Sequence, residues 1–138
     1  MTTTKPGLWP GLALGLGLGC TPATSPPPKH VDLAADASAD EVAAAIPADY
    51  VTIVDFWSEA CGACKVVESK TAAELAAEPQ VVVRKVDVAD GFTTAARVYD
   101  VGALPHWNIY DRRRHLRYVL VGSDCLKAPQ LAHALAAE

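Results

Sequence analysis

Two runs rich in β-branched and aromatic residues, Tyr50–Trp57 (YVTIVDFW) and Gln80–Val88 (QVVVRKVDV), enclose the Ala-rich stretch Cys61–Ala77. Few polar residues interrupt the first run, so it suits a strand buried on both faces. The enclosed stretch is helical by composition and stops before Pro79. Strand, helix and strand in close succession point to a layered α/β domain.

The remaining segments extend that order. Ser38 stands three residues before Glu41, a capping-box spacing that predicts a short helix over Ala39–Ile46, stopped by Pro47. Gly91–Tyr99 carries a weaker helical pattern. His106–Tyr110 and Leu116–Val121 read as two strands of an antiparallel hairpin joined by Asp111–His115. Pro129–Ala137 closes the chain as a helix. The expected architecture is a central mixed sheet flanked by helices, with a β-α-β-α-β-β-α core and an extra N-terminal helix. The 138 residues carry a formal charge of −4, which argues against nucleic-acid binding as the main task. No internal repeat is visible.

Cys61-Gly62-Ala63-Cys64 falls directly after the first strand and opens the helix. Two intervening residues let a disulfide close within one helical turn. Unpaired amides and the positive dipole end at a helix N-terminus favour the first sulfur as thiolate. This is a layout for thiol–disulfide exchange. A zinc knuckle would need two more ligands at short spacing, and the chain has no second CxxC or HxxxH. Cys61, the more exposed sulfur, is the expected nucleophile, and Cys64 resolves the mixed disulfide. Cys64 must first lose a proton. Asp55, a carboxylate inside an apolar strand, is the candidate base, since burial raises its pKa. Lys85 on the next strand is its candidate partner; the bland readings are a solvent-facing Asp55 and a surface Lys85. Glu68 lies on the helical face of both cysteines, where its charge opposes thiolate formation, unless it is an exposed residue paired with Lys65 or Lys70. Cys125 is either a buried apolar thiol or a third redox group. Arg112-Arg113-Arg114-His115, with Arg117, reads first as a solvated hairpin tip, with anionic lipid or an acidic partner as the minor option. His30, His115 and His133 show no metal-ligand spacing, so no metal is expected.

Residues 1–20 read as an export signal, with Lys5 as the only charge and a short apolar stretch, Leu8–Gly19. Its end, Leu16-Gly17-Leu18-Gly19-Cys20, resembles the lipobox of bacterial lipoproteins, which implies lipidation of Cys20 and a membrane anchor. The alternative is an ordinary secretory signal cut nearby. Thr21–His30 is Pro-rich and expected to be extended, so residues 21–37 are taken as a tether and residues 38–138 as the folded domain.

Val54-Asp55-Phe56-Trp57 followed by CxxC-Lys, Lys85 in the second strand, and Gly102-Ala103-Leu104-Pro105 before the hairpin together resemble the thioredoxin superfamily over residues 38–137. Within it, Cys61-Gly-Ala-Cys-Lys65-Val-Val-Glu68-Ser-Lys-Thr71 is most similar to the C-terminal periplasmic domain of the DsbD family. Ala60 and His106 depart from that pattern, replacing a Trp and a Thr. The resemblance implies a thioredoxin fold, a cis Pro105, and substrate contacts through Leu104, Pro105 and His106. It further implies a monomeric, envelope-located disulfide reductase with no cofactor beyond the Cys61–Cys64 pair. Oxidised extracytoplasmic proteins would be its substrates and a DsbD-type membrane protein its electron donor. Two rival classes remain: a non-catalytic binding module with a structural disulfide, and a metal- or heme-delivery thiol protein using His106 or Cys125.

Overall fold

The computed structural model describes Met1 and residues 25–89 and 91–138; the expected signal, Cys20 and most of the Pro-rich stretch lie outside these. The chain runs β1 (His30–Leu33), α1 (Ala39–Ala44), β2 (Val51–Trp57), α2 (Gly62–Ala77), β3 (Val81–Asp87), α3 (Thr94–Val98), β4 (His106–Tyr110) and β5 (Leu116–Val121). A 3₁₀ segment, Gly122–Lys127, then leads into α4 (Ala128–Ala136). The five strands form one sheet in the order β1-β3-β2-β4-β5. β1, β2 and β3 are mutually parallel where they pair, while β4 runs antiparallel to both β2 and β5. This is the mixed sheet expected from the sequence, with one strand more.

The additional strand is β1, which the sequence reading assigned to the tether. Four residues alternating exposed and half-buried give little local strand signal. What orders them is non-local: His30–Leu33 pair in register with Val83–Val86. Arg84 fastens this edge from beneath. Its guanidinium is buried, with Nε donating to Ala45 O at 2.6 Å and Nη1 to Pro28 O at 3.1 Å. The folded unit therefore begins before residue 38.

Helix α1 starts as its capping box predicts, with Ser38 Oγ accepting from Glu41 N at 3.2 Å and Ser38 N donating to Glu41 Oε2 at 2.7 Å. Helix α3 is shorter than expected, because Thr93 caps it by accepting from Ala96 N at 3.2 Å. In α2 the buried positions Cys64, Val67, Thr71 and Leu75 recur at helical spacing and face the sheet.

The sheet separates two apolar layers. Ile53, Val81, Trp107 and Ile109 meet α2 and α4 through Val67, Leu75 and Leu135. Val54, Phe56 and Val86 meet α1 and α3 through Val42 and Ala95. Each large side chain buried this way contributes roughly 1.5–3 kcal/mol. Strand direction then places the chemistry. Cys61 follows the C-terminal end of β2, and antiparallel β4 begins beside that end, with His106 opposite Phe56. The dithiol and the Leu104–Pro105 bond therefore sit at one pole of the domain, and the hairpin tip Asp111–His115 at the other.

Candidate active site

Cys61 is the N-cap of α2: its backbone is extended, and its Sγ accepts from Cys64 N at 3.1 Å. The sulfur thus meets one of the amides left free at the helix start, where the helix dipole also favours negative charge. Cys61 and Cys64 are joined in a disulfide with Cα atoms 5.3 Å apart. Cys61 is half-exposed while Cys64 is buried at 5% exposure, so an incoming group meets Cys61 first.

Beneath α2 three ionisable side chains converge. The Lys85 Nζ donates to Glu68 Oε1 at 2.9 Å and Oε2 at 3.0 Å, and lies 4.2 Å from the Trp57 ring centroid. Glu68 is thus neither a free surface residue nor the partner of Lys65, which pairs with Glu59 at 2.7 Å. Lys85 also sits beside Asp55 on one flank and Asp32 on the other, each opposite it in the strand register. Of these carboxylates, Glu68 is the one that bonds the ammonium.

Asp55 is 3% exposed, and its direct partner is not Lys85 but Trp107, whose indole Nε1–H donates to Oδ1 at 2.6 Å. Burial pushes the Asp55 carboxyl up to about 7. The Trp107 hydrogen bond and the Lys85 charge pull it back only in part, and Glu68 and Asp32 push it further up. A carboxyl with that pKa can hold or release a proton near neutrality. Asp55, Glu68 and Thr71 line a cleft between α2 and the sheet, together with Lys29 and His30, and Glu68 stands one helical turn along from Cys64. Sequence reading missed the Trp107 contact, since it depends on β4 pairing antiparallel with β2 and setting Trp107 opposite Asp55.

The Leu104–Pro105 peptide bond is cis. Beside it Ala63, Val66, Leu104, Pro105 and Leu126 line an open apolar groove. Val66 and Leu126 keep 52% and 41% of their surface exposed, which is where an extended segment of a substrate can bury apolar side chains. His106 is a correction to the expected substrate contacts. Its ring is 3% exposed, packs edge-on against Phe56 at 5.5 Å and meets Asn108 Oδ1 through Nε2 at 3.0 Å. That places it on the α1 and α3 side of the sheet, away from the groove. Cys125 is fully buried, its thiol directed at Leu120 O at 3.4 Å, and desolvation pushes its pKa up to about 12. It is an apolar residue of the core and too poor a thiolate to exchange. Among the described residues no group of three or more His, Cys, Asp or Glu is arranged to hold a metal.

A family model described as thioredoxin matches residues 31–134. The chain belongs to the thioredoxin family. Solved thioredoxins carry the same fold. That of Trypanosoma brucei brucei has a TM-score of 0.67 at 21% identity, covering 83% of this chain and 97% of its own. The oxidised thioredoxin of Plasmodium falciparum has a TM-score of 0.58 at 25% identity, covering 72% of this chain and 93% of its own. For the Schistosoma mansoni thioredoxin pre-protein the values are 0.63, 20%, 78% and 99%. No curated protein matches the chain. The protein is a thioredoxin-like oxidoreductase with its Cys61–Cys64 disulfide in the CxxC position.

Proposed function

We propose that this thioredoxin-like protein is an extracytoplasmic disulfide reductase of the DsbD-like kind, held at a membrane through lipidated Cys20. The observation that carries the reductase reading is the pair of carboxylates beside the helix that opens at the dithiol: Glu68, bonded to Lys85, and buried Asp55. Negative charge near the sulfurs disfavours thiolate, and a dithiol whose reduced form gains little as thiolate is a reductant. The potential should lie nearer that of thioredoxin, about −270 mV, than that of DsbA, about −120 mV.

In the reducing direction the Cys61 thiolate attacks one sulfur of a substrate disulfide, forming a mixed disulfide and releasing the other substrate sulfur as thiolate. Cys64 then attacks Cys61 Sγ. The Cys61–Cys64 bond forms, the mixed disulfide breaks, and the second substrate sulfur leaves. Asp55 takes the Cys64 proton in this second step. The groove beside cis Pro105 holds the substrate backbone against Leu104 and Pro105. A membrane electron donor of the DsbD type returns two electrons to the Cys61–Cys64 pair.

Equilibration with glutathione buffers tests the direction, and a potential close to about −120 mV would overturn it. Cys64→Ala expressed with its signal should accumulate mixed disulfides with oxidised envelope proteins; a binding module with a structural disulfide would trap none. Mass analysis of the mature N-terminus reads the lipid on Cys20.

A further inference from the structure

The chain enters the domain at the pole opposite the dithiol. β1 runs parallel to β3, so the segment before His30 lies at the N-terminal ends of the parallel strands; Lys29 O accepts from Val83 N at 2.8 Å, and Pro28 O is held by Arg84. Cys61 follows the other end of β2, whose seven residues span roughly 20 Å at the strand rise. The turn between β4 and β5 reaches the same remote pole, where Asp49 N donates to Arg112 O at 2.9 Å.

That turn is built to present cations. Its own carboxylate, Asp111, is turned inward: Oδ1 accepts from the backbone N–H of Arg113 and of His115, each at 2.9 Å, and Oδ2 from Arg117 at 3.3 Å. Arg117 is also taken up by Glu138 at 2.9 Å. Arg112, Arg113 and Arg114 are exposed, and among the described residues none of their guanidiniums meets a carboxylate. Arg112 only touches the Asp49 carbonyl, at 3.3 Å. Arg114 holds a φ of +67°, a conformation that glycine or asparagine adopts more cheaply, so turn geometry does not account for an arginine there. Asp49 and Glu138 line one hollow with Arg112 and Arg113, but among the described residues no ion pair joins either carboxylate to these two arginines. Three cations with no carboxylate partner among the described residues cluster there, on a chain whose formal charge is −4.

We propose that this remote pole faces a membrane, with the Arg112-Arg113-Arg114 tip docked on the phosphate headgroups of an anionic bilayer and the dithiol pointing away from it. The proposal rests on the reading that the segment before residue 25 carries the anchor. Chain entry and cationic tip lie on one pole, roughly 15–20 Å apart across three or four strand spacings, so a domain anchored through its N-terminus can set the tip on the same surface. The site then serves disulfides on soluble proteins, and exchange with a membrane-embedded donor requires the domain to leave the headgroups.

The test supplies the anchor chemically. The oxidised full chain is coupled through Cys20 to a maleimide-headed lipid, with Cys61 and Cys64 protected by their disulfide and Cys125 buried. Neutron reflectometry then measures the gap between headgroups and folded domain on supported bilayers. With about 30% anionic phosphatidylglycerol at low salt, the gap should close. On purely zwitterionic lipid, or in about 0.5 M salt, it should reopen, as screening removes the attraction. R112Q/R113Q/R114Q should weaken the docked state on the order of 100-fold, about fivefold per arginine, while leaving disulfide exchange intact. A gap that is the same on both lipids, or that closes equally in the triple variant, overturns the proposal. So does an open gap on anionic lipid combined with arginine-dependent binding of poly-glutamate, which would assign the tip to an acidic protein. A Cys20 that carries no lipid in cells would refute the anchor and leave the reflectometry result standing.

Discussion

Replacing Asp55 by Asn removes one ionisation from the core and keeps an acceptor for the Trp107 indole. In the folded protein burial raises the Asp55 carboxyl from 3.8 to about 7. A raised acid pKa means that the native state binds its proton more tightly than the unfolded chain does. The stabilisation is therefore complete below about pH 4 and is lost as pH rises toward 7. Across that window wild type should lose about 1.4 kcal/mol per pH unit relative to Asp55→Asn, about 4 kcal/mol in all. At 3% exposure little solvent screening reduces this figure. Urea unfolding of both oxidised proteins from pH 4 to pH 9 measures the difference, and comparing differences cancels the pH-independent cost of burying the amide. The same substitution should slow resolution of the mixed disulfide by Cys64 near pH 7 and leave the first attack by Cys61 far less affected. A stability difference that stays flat with pH would mean that Asp55 ionises freely in the folded state, and the proton-acceptor role would go with it.

Trp107→Phe should raise the Asp55 pKa further and cost roughly 1–3 kcal/mol, since Oδ1 loses its donor; the pH dependence of unfolding would then shift upward. Glu68→Gln should act the opposite way, because it removes a nearby negative charge and frees the Lys85 ammonium for Asp55. Its Asp55 titration should move down, and glutathione equilibration should give a less negative potential. In the native reduced protein at pH 8, alkylation counted by mass spectrometry should spare Cys125, whose thiol is pushed up to about 12, while modifying Cys61; rapid labelling of Cys125 would contradict its burial.

The parts of the fold that were legible in the sequence are those whose signal is local. The capping box at Ser38, the apolar runs of β2 and β3 and the helix that opens at the CxxC need only neighbouring residues to declare themselves. Strand β1 does not, because His30-Val31-Asp32-Leu33 becomes a strand only through its register with β3. The site divides in the same way. Cys61 and Cys64 are a contiguous motif, whereas the surroundings of Asp55 are assembled from β1, β3, β4 and α2. His106 shows the cost of reading a loop by adjacency: it follows Pro105 in sequence, yet strand alternation turns its ring to the other face of the sheet.

Arg84 turns the start of the domain into something a cloning boundary can break. A fragment starting at residue 38 would lack Pro28 and its carbonyl, leave the Arg84 Nη1 with Val83 O as its remaining partner, and expose the flank of β3 that β1 covers. Such a shortened protein would offer an open strand edge to its own copies and tend to self-associate. Any redox measurement made on it would report on a damaged molecule.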